Sequence, residues 1–110
     1  MSELSFRPFQ VVIPGKEMQK LTAWTDWARQ WGVLDDYLRA LKTINYRLAY
    51  EPDEWGEPKY TLKTLNLRIF LGTFMMLNVW YGVNDEHRKV YVKTFQFRMT
   101  YPFCPPPDVS

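Results

Sequence analysis

The chain has 110 residues, 46% of them hydrophobic and 24% charged, with a formal net charge of +2. That length predicts one domain, because two cores could not each bury enough apolar surface, and an aromatic share of 17% argues against general disorder. The charge balance excludes a dedicated polybasic arm, but it is uneven: residues 1–58 carry seven Lys/Arg against nine Asp/Glu, and residues 59–99 carry seven against two. A positive second half points to a polyanionic or acidic partner.

The opening MSELSFRPFQ has no basic segment followed by an apolar run, so the sequence predicts a cytoplasmic protein without a secretory leader. The most apolar window, Ile69 to Val83, is interrupted by Gly72, Asn78 and Gly82 and is too short for a membrane span. Cys104, the sole cysteine, allows neither an internal disulfide nor a cysteine zinc site.

Phe9 to Ile13 is a short β-branched run stopped by Pro14-Gly15, which predicts a first strand. From Lys16 the period changes. Met18, Leu21, Trp24, Ala28 and Trp31 recur at three- or four-residue spacing, which predicts a helix ending near Gly32. A second helix follows, with Leu34, Tyr37, Leu38, Leu41, Ile44 and Leu48 on one face. The short link between the two favours an antiparallel hairpin. Pro52 ends the second helix, and the acidic stretch to Pro58 reads as a loop returning the chain to a sheet.

Beyond Tyr60 the period becomes two. Leu65, Leu67, Ile69 and Leu71 are expected on the buried face of one strand, with Asn66, Arg68 and Phe70 opposite. Leu77, Val79, Tyr81 and Val83 define the next strand, a polar turn follows at Asn84 to His87, and Val90 and Val92 define the last. The expected fold class is therefore α+β: an N-terminal strand, a helical hairpin and a three-stranded antiparallel meander. The domain is expected over residues 1–98, followed by a proline-rich tail over 99–110. Phe95 and Phe97 share the parity of the exposed Lys93, so a bulge or the returning tail is needed to cover them.

With helices on one side of the sheet, the other side is expected to expose Asn66, Arg68, Asn78, Trp80, Tyr91 and Lys93. Cations for phosphate beside aromatic rings for unstacked bases are what single-stranded RNA requires. No phosphate-binding glycine loop, dinucleotide fingerprint or nucleophile elbow occurs, no metal-ligand spacing is present, and no cofactor is implied. His87, the sole histidine, falls in a charged turn. The hairpin link at Phe74, Met75 and Met76 lacks polar turn chemistry, so these three are candidate partner contacts, for another protein or a second copy in a homodimer.

The whole order resembles the RelE/ParE superfamily of bacterial type II toxin-antitoxin systems. ALKTINYRLAYEPDEWGEP, then YTLKTLNLRIF, then LNVWYGVNDEHRKVYVKTF is similar to that family's helix, loop, basic strand, Y-x-V strand with charged turn and final valine-rich strand, over about Phe9 to Phe97. The resemblance implies a toxin neutralised by a cognate antitoxin protein, inhibiting translation by metal-independent cleavage of messenger RNA on the ribosome. It equally implies the alternatives found in the superfamily: a non-enzymatic toxin that binds DNA gyrase, or an inactive toxin-fold protein. Carried onto this chain, it implies Arg68 and Lys93 as catalytic residues and Lys59 and Lys63 as RNA contacts, with Arg98 and Tyr101 counterparts of the family's late arginine and C-terminal aromatic; the open face itself adds Tyr91 as a catalytic candidate and Asn66, Trp80 and Arg98 as RNA contacts.

Overall fold

Tyr81 is fully buried, and its ring and hydroxyl organise the layers around it. In the computed structural model, which describes residues 8–98, the elements are β1 (Gln10–Val12), α1 (Gly15–Gln30), α2 (Leu34–Tyr50), a short α3 (Pro52–Trp55), β2 (Glu57–Leu62), β3 (Leu67–Phe74), β4 (Leu77–Asn84) and β5 (Lys89–Phe97). The strands form one mixed sheet in the order β1-β5-β4-β3-β2, with β1 parallel to β5 and the remaining pairs antiparallel. The fold is α+β, with one strand more than the four expected. The tail beyond Arg98, including Tyr101 and Cys104, lies outside the described residues.

The additional strand, β2, occupies part of the stretch expected to be a loop. Its sequence, EPKYTL, has no apolar alternation because it is an edge strand bonded only to β3, and nearly all of it is exposed. Pro58, a register shift between Pro58 and Tyr60 and Lys59 are the features that keep such an edge from pairing further.

The helices match expectation in extent but not in every buried position. Gly32 takes the left-handed φ of 73° that ends a helix. On α1, Trp24, Trp27 and Ala28 are buried, whereas Met18 and Trp31 are exposed; on α2, Tyr37, Ala40, Ile44 and Leu48 are buried and Leu38 is exposed. The expected stripe was correct in period and rotated slightly in phase.

The larger correction concerns β3. Its register sets Arg68 opposite Val83, Phe70 opposite Tyr81 and Gly72 opposite Val79, so Arg68, Phe70, Gly72 and Phe74 face the helices, while Leu67, Ile69 and Leu71 lie on the other side. Two glycines explain the inversion. A Cβ on Gly72 would fall 2.3 Å from the Trp55 ring, so that indole occupies the space above it. On the opposite face, a Cβ on Gly82 would meet Ile69 Cδ1 at 3.0 Å and Leu67 at 3.5 Å, so these aliphatics fold over a strand that leaves room for them. Ile69 is thereby 1% exposed without facing a helix.

Around Tyr81 the stacking is continuous. Its ring lies parallel to Phe70 at 5.4 Å and to Trp55 at 5.9 Å. Its hydroxyl donates to the Pro52 carbonyl at 2.6 Å and accepts from the Gly56 amide at 3.0 Å, which ties the α3 turn to the centre of the sheet. A second tie secures the β5 edge beyond the end of β1. Buried Glu17 accepts the Phe95 amide at 2.8 Å and Lys20 donates to the Phe95 carbonyl at 3.0 Å, with Glu17 and Lys20 3.1 Å apart.

The β5 strand also carries the bulge that Phe95 and Phe97 require. Trp80 pairs with Thr94 but Tyr81 pairs with Val92, so Lys93 is the extra residue and the facing of every later side chain is reversed. Phe95 and Phe97 therefore enter the core, where Phe97 meets Trp24 and Trp27 edge-on at 5.8 and 5.0 Å. The expected partner contacts are largely internal: Met76 is fully buried, and Phe74 and Met75 are half-buried against the core cluster.

Tyr81→Phe leaves the Gly56 amide and the Pro52 carbonyl without their buried partner, and is expected to cost roughly 1–3 kcal/mol. A lower urea midpoint at unchanged slope would report it, and an unchanged midpoint would deny the hydroxyl this role. Burial also sets the alkaline limit. It pushes the Tyr37 phenol from the ordinary 10.0 up to about 12, and it raises Tyr81 as well. The unfolded chain releases these protons first, so stability is complete below about pH 10 and declines as pH rises towards 12. Tyr37→Phe should flatten part of that decline in pH-dependent urea titrations.

Candidate functional site

The open face of the sheet has no helix over it. Near its centre Tyr60, Trp80, Lys93, Thr94 and Gln96 line a shallow cavity of about 290 Å³. Each residue arrives there for a local reason. Tyr60 comes from edge strand β2 just beyond its irregularity. Trp80 alternates with the core residues Val79 and Tyr81 and therefore points outward. The bulge delivers Lys93, Thr94 and Gln96 to the same region.

Lys93 is exposed, and its ammonium donates to the Tyr60 hydroxyl at 3.1 Å while lying 5.8 Å from that ring's centroid. The Trp80 indole N–H donates to Gln96 Oε1 at 3.3 Å. Tyr60 is 46% exposed, so a flat ligand can reach it. The cavity thus combines an ammonium, two aromatic surfaces and a carboxamide. It can hold an anion beside a planar ring, which is the requirement of a single-stranded nucleotide.

The remaining expected site residues are dispersed. Arg68 is the main displacement: it lies on the helix-side face, away from Lys93. Its guanidinium pairs with Asp53 at 2.6 Å and Asp85 at 2.8 Å and lies 5.5 Å from the Phe70 ring. Burial opposes its charge, but Asp53 and then Asp85 outweigh that effect and raise its pKa above the ordinary arginine value. Arg68 therefore joins the α3 turn and the β4–β5 turn to β3, with its charge neutralised from both sides.

Tyr91 is on the open face, half-buried and opposite Gly82, but does not line the cavity. Asn66 takes a left-handed φ of 52° before β3, and its amide donates to Glu86 at 3.4 Å. Lys59 pairs with Glu57 at 2.6 Å on the β2 edge, and Lys63 is exposed in the turn before β3. Arg98 closes the β3–β4 link, its side chain donating to the Met75 carbonyl at 2.7 Å and its backbone amide to that of Met76 at 2.8 Å. The structure brings together Lys93 and Trp80 alone from the set read in the sequence, and adds Tyr60, Thr94 and Gln96. The signal for Gln96 was present in the anomalous parity of Phe95 and Phe97, since the bulge that buries them also turns Gln96 outward. Tyr60 had no comparable signal, because β2 lacks periodicity.

Among the described residues, no group of three or more His, Cys, Asp or Glu could hold a metal ion, and no helix is long and apolar enough to cross a membrane. His87 is exposed in the β4–β5 turn and does not line the cavity. Comparison with protein-family models, curated proteins and solved structures finds no match for this chain.

Because Arg68 is 40% exposed and its partners are similarly wet, its ion pairs are screened and modest. Arg68→Ala is expected to lower stability by about 1 kcal/mol in dilute buffer, and by less in molar salt. Urea titrations at the two ionic strengths check this, and a salt-independent loss would point instead to lost packing against Phe70.

Proposed function

We propose that the protein is a RelE/ParE-like toxin that acts on translation, engaging messenger RNA on the ribosome through the open sheet face and held in check by a cognate antitoxin. The observation that carries this reading is the convergence of Lys93, Tyr60 and Trp80 on one exposed cavity. The chain order of strand, helical hairpin and meander, together with the sequence resemblance, supplies the toxin context.

In this reading Lys93 neutralises a phosphate while the Tyr60 and Trp80 rings support unstacked bases. Were the strand cut there, the 2′-hydroxyl would lose its proton and its oxygen would attack the adjacent phosphorus. The 5′-oxygen of the next nucleotide would leave with a proton, and a 2′,3′-cyclic phosphate would remain. The Lys93 ammonium is placed to stabilise the charge that develops on the phosphoryl oxygens. A second reading, a toxin that binds its target without cutting it, such as a gyrase inhibitor, is favoured by the position of Arg68. The second cation expected at the site is engaged by Asp53 and Asp85 on the other face.

Tightly induced expression in bacteria, followed by labelled methionine and thymidine incorporation, separates the two. Early loss of methionine incorporation is expected, with Lys93→Ala relieving the arrest by at least about tenfold in surviving cells, as for loss of a charge-stabilising group. Early loss of thymidine incorporation would favour the gyrase reading, and normal growth with folded, soluble protein would overturn the toxin reading.

A further inference from the structure

Strands β4 and β5 set two carboxamides opposite each other on the open face, since Asn78 and Gln96 are direct partners in the ladder and side chains so paired lie within mutual reach. The orientation of Gln96 follows from its neighbour. An indole N–H can only donate, and Trp80 Nε1 lies 3.3 Å from Gln96 Oε1. The amide oxygen is therefore turned to the indole, and the amide nitrogen is presented outward with its hydrogens. Asn78 is held in the same sense, because the Thr73 hydroxyl donates to Asn78 Oδ1 at 2.9 Å. With the Lys93 ammonium nearby, the surface offers a row of donors.

A carboxamide ordinarily recognises adenine with both ends, its oxygen accepting from the exocyclic amine and its nitrogen donating to N7. At Gln96 the oxygen is turned to the indole, so although it keeps a second lone pair, the edge of the amide that meets a ligand is the N–H donor. Two neighbouring amide donors match two neighbouring acceptors, and guanine presents O6 and N7 side by side on one edge. Adenine sets its exocyclic amine beside N7 on one side and N1 on the other, so one of the two amide nitrogens would face a donor and both would be left without a partner. Resting on the RNA reading above, we propose that Gln96, supported by Asn78, makes the open face select guanine over adenine in single-stranded RNA. The Tyr60 and Trp80 rings provide the stacking surface, and Lys93 the phosphate contact.

The test is fluorescence anisotropy of the full chain with labelled oligouridylates of about ten nucleotides, a length within the range of single-strand sites, in which one central residue is G or A. The G-centred probe is expected to bind roughly tenfold more tightly than the A-centred one. Gln96→Glu keeps an acceptor for the indole but replaces the donor by an acceptor, so the preference should move from G towards A. Gln96→Leu, which adds no charge, should abolish the preference. Lys93→Ala should weaken all probes alike. Equal affinity of the native protein for the G- and A-centred probes would overturn guanine selection while leaving the RNA reading in place, and a preference for G that survives in both folded Gln96 variants would overturn the role of Gln96. Failure of every probe to bind would remove the RNA reading together with the selectivity built on it.

Discussion

The Tyr81 hydroxyl, bonded at once to the Pro52 carbonyl and the Gly56 amide, is the contact on which the arrangement of this molecule most depends. It lies on the central strand of the sheet and reaches the tight corner at α3 between the helical hairpin and β2. A polar atom at such depth is costly unless satisfied, and here both of its bonds are to backbone groups that would otherwise be buried without partners. The position of α3 follows from it, and with α3 comes Trp55, whose ring fills the space above Gly72. The facing of β3 then has one solution, with Phe70 beneath Tyr81 and Ile69 on the reverse side.

That facing determines what the open surface contains. Had β3 turned its aliphatic residues inward, Arg68 would share the open face with Lys93 and that face would carry a second cation. Instead Arg68 is drawn to Asp53 and Asp85, and the open face carries Leu67, Ile69 and Leu71 beside Trp80, Tyr60 and Lys93. Such a surface favours stacking and directed hydrogen bonds over bulk electrostatic attraction. The positive charge of residues 59–99 is accordingly divided. Part of it ties elements together through Arg68 and Arg98, and part of it, at Lys93, is exposed on the open face beside Tyr60.

The bulge at Lys93 links fold and site in the opposite direction. One extra residue moves Phe95 and Phe97 into the core against Trp24 and Trp27, and by the same reversal brings Gln96 out to Trp80. Glu17 and Lys20 of α1 then hold the Phe95 backbone from the outer edge. The first turns of α1 thereby support the register of the strand that forms the cavity floor, although neither residue lines the cavity.

Hydrophobic period alone determined the element types: the first strand, both long helices, the meander and the outward position of Trp80 follow from spacings of two and of three to four, because burial on one side imposes those repeats locally. The anomalous parity of Phe95 and Phe97 even marked the need for a bulge. Three things could not be read in this way. Strand β2 has no period, since an exposed edge is held by backbone bonds that leave no apolar pattern. The facing of β3 is the reverse of the one its aliphatic alternation predicts, because Gly72 and Gly82 open space for Trp55 on one face and for Ile69 on the other. The site itself was decided by tertiary structure: whether Arg68 shares a face with Lys93 or meets two distant carboxylates depends on which way β3 turns, and that is a property of the packed layers rather than of any local run of residues.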